Sequence, residues 1–212
     1  MKVNEIFYSI QGESSYAGLP FAFIRLTGCN LRCTYCDTAY AFDEGAEMPI
    51  ADILRKVEAY PARHVLVTGG EPMLQENVHE LFRRLLERGY TVLVETGGQV
   101  SLADVDPRIH KIMDFKCPSS GMEARNLYEN VRYLTRNDEV KFVVADRPDF
   151  DWSCEVIRRY DLTSRVSNIL FSPVHSKLPL PDLAEWVMRC GIPTRMQVQL
   201  HKIIWPGVER GV

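Results

Sequence analysis

Short runs rich in Val, Ile, Leu and Phe alternate along the chain with longer stretches whose apolar residues recur every three to four positions. These are the patterns of buried strands and of amphipathic helices. Strands are expected at residues 21–27, 64–68, 91–95, 109–115, 139–145 and 168–172, with a last β-rich run at 194–200 after Pro193. Helices are expected at 49–60, 74–88, 125–134, 149–160 and 180–190. The second is the most regular: Val78, Leu81, Phe82, Leu85 and Leu86 share one face, and Gly89 supplies the stop. Parallel strands need crossovers of this length, so the alternation predicts an α/β fold with a parallel sheet and right-handed connections. A closed eight-fold barrel takes ~250 residues. With 212 residues and no repeat, low-complexity tract or linker, the chain is read as one domain, residues 1–212, forming a partial, six-strand parallel β/α barrel.

Charge and composition narrow the function. Lys plus Arg number 25 against 28 Asp plus Glu, a net of −3, which argues against a protein that coats nucleic acid. A chain that is 46% hydrophobic and 25% charged is globular rather than disordered. No apolar run approaches the ~20 residues of a membrane span, and Met1-Lys2-Val3-Asn4-Glu5-Ile6 lacks the apolar stretch of a signal peptide. The expectation is a cytoplasmic protein with neither nucleic acid nor membrane as partner. Thiols stay reduced there, so the six cysteines are first read as metal ligands, reactive groups or core filler. Cys154 and Cys190 fall in helical patterns and read as small hydrophobes, whereas Cys117 lies on a strand-end loop.

The polar, glycine-rich segments after the strands are 28–37, 69–72, 96–98 and 116–121. In parallel α/β folds the carboxyl ends of the strands share one face, so these segments should converge there. The first holds Cys29, Cys33 and Cys36 in a C-x3-C-x2-C arrangement. A structural zinc site wants four ligands, and no second C-x2-C pair follows; His64 and Cys117 are isolated. Three thiolates on a 4Fe–4S cluster would leave one iron free for chemistry, unlike a fully capped electron-transfer cluster. Spacing favours the cluster and leaves zinc as the alternative.

That cysteine pattern after a first strand, with Tyr35 just before the third Cys, resembles the radical S-adenosylmethionine enzymes. Gly69-Gly70-Glu71-Pro72 at the second strand end is similar to their G-G-E-P segment. The resemblance implies S-adenosylmethionine bound through its amino and carboxylate groups to the unique iron, where one electron splits it into methionine and a 5′-deoxyadenosyl radical. The protein then supplies ligation, orientation and exclusion of water. Residues 5–13, Gly18-Leu19-Pro20, Phe23-Ile24-Arg25-Leu26, residues 28–38, Thr68-Gly69-Gly70-Glu71-Pro72, Glu95-Thr96 and Gln199-Leu200-His201-Lys202 carry a closer likeness. They resemble the 7-carboxy-7-deazaguanine synthase family, almost end to end. Its members contract the ring of 6-carboxy-5,6,7,8-tetrahydropterin to 7-carboxy-7-deazaguanine with loss of ammonia, a carbon–nitrogen lyase reaction on the way to 7-deazapurines such as queuosine.

The likeness implies substrate contacts at Ile10, Gln11, Gly12, Glu13, Arg25, Thr68 and His201, and Mg²⁺ on Thr38. Arg25 suits a carboxylated substrate because its fork matches a carboxylate bidentately. For S-adenosylmethionine it implies Tyr35, Cys36, Asp37, Gly70 and Glu71, plus two later strand ends. There the chain departs from the family: Asp114-Phe115-Lys116 replaces a common S-P-K, and Ser172-Pro173-Val174-His175 replaces Q-P. Glu95 fits either a cofactor contact or a pair with a basic neighbour. A homodimer and a reductase or flavodoxin-type electron donor are also implied. Two other readings compete: a glycyl-radical activating enzyme with a protein substrate, and a zinc-stabilised, non-catalytic binding module.

Overall fold

The computed structural model describes residues 1–212. Nine strands join one sheet, in the order β3-β1-β2-β4-β5-β6-β7-β8-β9. Six of them run parallel as expected: β2 (Pro20–Leu26), β4 (His64–Gly69), β5 (Thr91–Thr96), β6 (His110–Phe115), β7 (Glu139–Val144) and β8 (Asn168–Pro173). The two-residue β9 (Arg195–Met196) continues them. On the other edge, β1 (Lys2–Ile10) pairs antiparallel with β2 and with β3 (Ala46–Glu47), and the pattern of apolar runs gave no warning of it. Only Val3 and Phe7 of β1 are buried, so its alternation is too shallow to stand out. The sheet stays open, a partial barrel.

Period-two alternation gives the sheet two faces of different character. The outer face meets α1 (Ile50–Glu58), α2 (Val78–Glu87), α3 (Arg147–Arg159), α4 (Leu162–Arg165) and α5 (Leu180–Arg189) in a core of 37 buried residues. The inner face buries six: Phe7, Phe21, Phe23, Leu66, Leu93 and Ile112. Stability therefore rests on the outer layer and leaves the inside available for a site. Two residues beyond an apolar floor residue comes a polar one on four strands: Phe23 then Arg25, Leu66 then Thr68, Leu93 then Glu95, Ile112 then Asp114. Lys141 of β7 lies in register with Asp114 and completes the polar layer.

Three expected elements differ. Residues 125–134 form no α-helix but two 3₁₀ turns, Glu123–Arg125 and Tyr128–Tyr133. Asparagine side chains take the place of a helical ladder: Asn126 closes on both backbone groups of Lys116 at 2.9 and 3.0 Å. Buried Asn130 donates to the Gly98 and Val100 carbonyls and accepts from Leu102 N–H. The run at 194–200 shrinks to β9, and its end opens α6 (Leu200–Ile204), which carries His201. Residues 74–77 precede α2 as a turn rather than helix, because a 3₁₀ turn at Pro72–Leu74 comes first. No helix is long and apolar enough to cross a membrane.

Asn130→Ala would leave two carbonyls and one N–H unpaired in the interior, at about 1–3 kcal/mol for each unsatisfied group. A clear drop in the urea midpoint is expected; an unchanged midpoint would show that this asparagine does not hold the crossover.

Candidate active site

The strand-end loops converge on one cavity of about 900 Å³. Its lining includes Cys29, Cys33, Tyr35, Cys36, Asp37 and Thr38 from the loop after β2, and Gly70 and Glu71 from the loop after β4. Gly97 and Gln99, Asp114 and Lys116, and Pro173, Val174 and His175 come from later strand ends. The substrate residues expected from the sequence, Ile10 to Glu13, Arg25, Thr68 and His201, line the same cavity. Residues 10–13 arrive from the opposite direction, because antiparallel β1 sets Ile10 beside Pro20 at the amino end of β2. The loop that follows crosses to the far edge, where Ser14 N–H donates to Gln197 and Ser15 N–H to Glu139.

Two expected residues lie off the cavity. The Phe115 side chain alternates to the outer face and stacks between Tyr128 and Phe142. Ser172 is buried behind the lining, where its hydroxyl accepts from Gln197 Nε2 at 2.9 Å. Glu71 is 1% exposed, and its carboxylate accepts from Met73 N–H, Gly97 N–H and the Thr96 hydroxyl. That side chain ties two strand-end loops together at the cavity wall.

Charged groups on the inner face are ion-paired, except Glu95, which has a hydroxyl partner. Arg25 Nε donates to Glu5 Oε1 at 2.7 Å, and the Tyr40 hydroxyl donates to the same oxygen at 3.1 Å. Lys141 Nζ lies 2.8 Å from Glu13 Oε2 and 3.9 Å from Asp114 Oδ2, which also pairs with Lys116 at 2.9 Å. Burial disfavours the Glu13 carboxylate, yet Lys141 and Gln199 outweigh it and hold its pKa below the ordinary value. Glu95, which accepts from the Thr68 hydroxyl at 3.0 Å, is instead pushed upward by burial. Asp37 is half exposed at the rim, and Lys202, Gln199 and Thr38 keep its carboxyl low. Burial lowers His201, so its imidazole is neutral at pH 7.

The donor set suits a cluster held by three thiolates. Cys29, Cys33 and Cys36 are free thiols on a single loop at the cavity rim, with Cys36 exposed. No three His, Cys, Asp or Glu side chains meet closely enough to hold one metal ion; around a single tetrahedral zinc, thiols would crowd within about 4 Å. Gly70 packs beneath this loop: a Cβ there would run into the Gly28 carbonyl oxygen and lie 2.9 Å from Cys29 Cβ. Deeper in, Gln11 Nε2, Gln99 Oε1 and Asp114 Oδ1 are buried polar atoms without a protein partner, all on cavity-lining residues. Such atoms mark where a polar ligand would complete the hydrogen bonding.

A partial barrel that carries three cluster-spaced thiols at its mouth defines a class of enzyme, and residues 23–187 match the Radical SAM superfamily. The 7-carboxy-7-deazaguanine synthase of Chlorobaculum tepidum is 46% identical over 216 residues, covering 100% of this chain and 97% of its own. That of Koribacter versatilis is 41% identical over 226 residues, covering 100% of both. The crystal structure of QueE from Escherichia coli superimposes with a TM-score of 0.76 over 93% of each chain; at 24% identity it speaks for the fold. The chain belongs to the radical SAM superfamily and, within it, to the 7-carboxy-7-deazaguanine synthases. Membership implies a 4Fe–4S cluster and S-adenosylmethionine as cofactors.

Lys141 and Gln99 line the inside of the site and no motif marked them; Glu5 and Gln199 stand inside segments that carry the family likeness but had no role assigned. Lys141 had one legible signal: a lysine within the apolar run of a strand flanked on both sides by others. Gly70→Ala is expected to lower bound iron and acid-labile sulfide sharply while far-UV circular dichroism stays native. Full cluster loading in that variant would contradict the close approach of the two loops.

Proposed function

We propose that this chain converts 6-carboxy-5,6,7,8-tetrahydropterin to 7-carboxy-7-deazaguanine, with loss of ammonia. The observation that carries the reading is one continuous cavity with the cysteine loop at its rim and the layer Arg25, Thr68, Glu95, Asp114 and Lys141 inside it. Its volume, about 900 Å³, suits a cofactor and a bicyclic substrate together. Cys29, Cys33 and Cys36 would hold the cluster, and Tyr35, Cys36, Asp37 and Gly70 would meet S-adenosylmethionine. Lys116, Pro173, Val174 and His175 border the same volume as further cofactor contacts. Bound there, cluster and cofactor supply the one-electron chemistry that opens the reaction.

The chain's own part is to bind, orient and exclude water. Arg25 offers the carboxylated substrate the two terminal nitrogens that Glu5 leaves free, since only its Nε is engaged. Gln11, Glu13 and Thr68 surround the ring, and His201 packs on Gly12 so closely that a Cβ there would collide with its Nδ1. Neutral His201 can accept or donate at one nitrogen without adding charge. Thr38 is the proposed protein ligand of Mg²⁺; its hydroxyl donates to Asp37 Oδ1 at 3.0 Å, which leaves oxygen lone pairs for a hard cation.

A homodimer and a reductase or flavodoxin-type donor complete the reading. Exposed Ile203, Ile204 and Val208 beside the cavity mouth are apolar surface a second copy would cover, and Cys36 at the rim is where an electron would enter. Elution as a single chain, or no turnover with reduced flavodoxin, would remove these two parts separately.

Anaerobic, cluster-loaded protein given the pterin and S-adenosylmethionine should release a product of the mass of 7-carboxy-7-deazaguanine; no such product would end this reading. Stimulation of that turnover by Mg²⁺ is expected in the wild type and absent in Thr38→Ala. Arg25→Lys keeps the charge beside Glu5 but removes the fork, and KM for the pterin should rise roughly 10- to 100-fold, the worth of a charge-assisted hydrogen bond. An unchanged KM would take the substrate carboxylate away from Arg25.

A further inference from the structure

Gln199 precedes α6, yet its side chain does not cap the helix. Its single amide nitrogen reaches two carboxylates from different parts of the chain: Glu13 Oε1 at 2.8 Å and Asp37 Oδ2 at 3.2 Å. Glu13 belongs to the turn that enters the cavity from β1, and Asp37 follows the last cysteine of the rim loop. Each carboxylate also has one cation of its own, Lys141 on Glu13 and Lys202 on Asp37, both at 2.8 Å. The two like charges are thus held as neighbours by one NH₂ group between them and an ammonium on each outer side. Both hydrogens of that amide are used, so the spacing between turn and rim loop is fixed by one rigid planar group.

The same segment grips the turn from its other side. Leu200 N–H donates to the Gly12 carbonyl at 3.1 Å, and the His201 ring packs on Gly12. Gln197, two residues before the bridge, accepts from Ser14 N–H at 2.8 Å. Residues 12–14 are therefore held by the stretch that carries Gln199, while the rim loop meets this stretch through Asp37. A shift of Asp37 on ligand binding has a direct mechanical route to Glu13.

We propose that Gln199 is a positioning residue that couples the cofactor half of the cavity to the substrate half, so that filling the site beside Asp37 orders the turn of residues 11–14. The inference rests on the reading of Asp37 as a cofactor neighbour but not on the identity of the substrate. It requires no pterin to be tested.

The test is hydrogen exchange on cluster-loaded protein with the cluster oxidised, with and without S-adenosylmethionine, in wild type and Gln199→Leu. In the wild type the cofactor should slow exchange in residues 11–14 by at least about fivefold, the lower end of coupling between distinct sites. In Gln199→Leu that protection should vanish, while iron content and the protection of residues 33–38 by the cofactor persist. Gln199→Glu, which sets a third carboxylate between the two, should also abolish it. Protection of residues 11–14 that survives in Gln199→Leu would mean direct contact and overturn the proposal. So would its absence in the wild type. Neither result touches the turnover assay above, so the two readings fail separately.

Discussion

The site depends on how closely two backbone segments pass. Between Leu26 and Cys29 the chain leaves β2, and Gly69-Gly70 leaves β4 directly alongside; Gly70 N–H donates to the Leu26 carbonyl and Glu71 N–H to the Gly28 carbonyl. Gly69 takes a φ of +137°, and a Cβ on it would collide with the Leu26 backbone. Only glycine permits both the dihedral and the contact. Those two hydrogen bonds tie the segments together past the end of the paired strands, out of the regular ladder. The cysteine loop is thereby suspended over the barrel mouth on a base that cannot slide. Glu71 carries the constraint onward, because its buried carboxylate fastens the next strand end at Thr96 and Gly97.

A polar layer inside a barrel is costly unless each charge finds a partner. Here the arrangement is a chain of alternating sign, Lys116–Asp114–Lys141–Glu13, with Arg25–Glu5 across the floor. Replacing these groups by apolar side chains of similar size would favour stability on general grounds. Their presence is accordingly an argument about chemistry rather than folding. The apolar floor of Phe7, Phe23, Leu66 and Leu93 beneath them excludes water from below and strengthens every interaction above it.

Much of this was legible as pattern. Six parallel strands and the convergence of their ends follow from apolar periodicity, and the cysteine spacing points to a cluster before any fold is known. What escaped has physical causes. β1 pairs antiparallel on an edge and buries two side chains, so it lacks the dense apolar run that marks its neighbours. The stretch 125–134 offers Leu127, Val131 and Leu134 at helical spacing, but Asn126 and Asn130 satisfy backbone groups of other loops and fix a non-helical path. Phe115 stands between Asp114 and Lys116 in the motif, but alternation along the strand sends it to the other face. Lys141 and Gln199 act through partners more than a hundred residues away, Glu13 in both cases, and no local spacing encodes that.

Arg25 shows how the structure limits what the cavity can select. Its guanidinium lies over the Phe7 and Tyr40 rings at 5.7 and 5.8 Å, and Glu5 fixes Nε. Glu5 in turn accepts from the Tyr40 hydroxyl and from Gly211 N–H, so the guanidinium is braced by the first strand, the rim and residues near position 211 at once. A guanidinium free to swing would bind many anions weakly. One held at Nε by Glu5 and packed near two rings, with an edge of two N–H groups unclaimed by protein, favours a planar carboxylate approaching in its own plane. Discrimination then lies in the direction of that edge, and the three-way brace on Glu5 is what sets it.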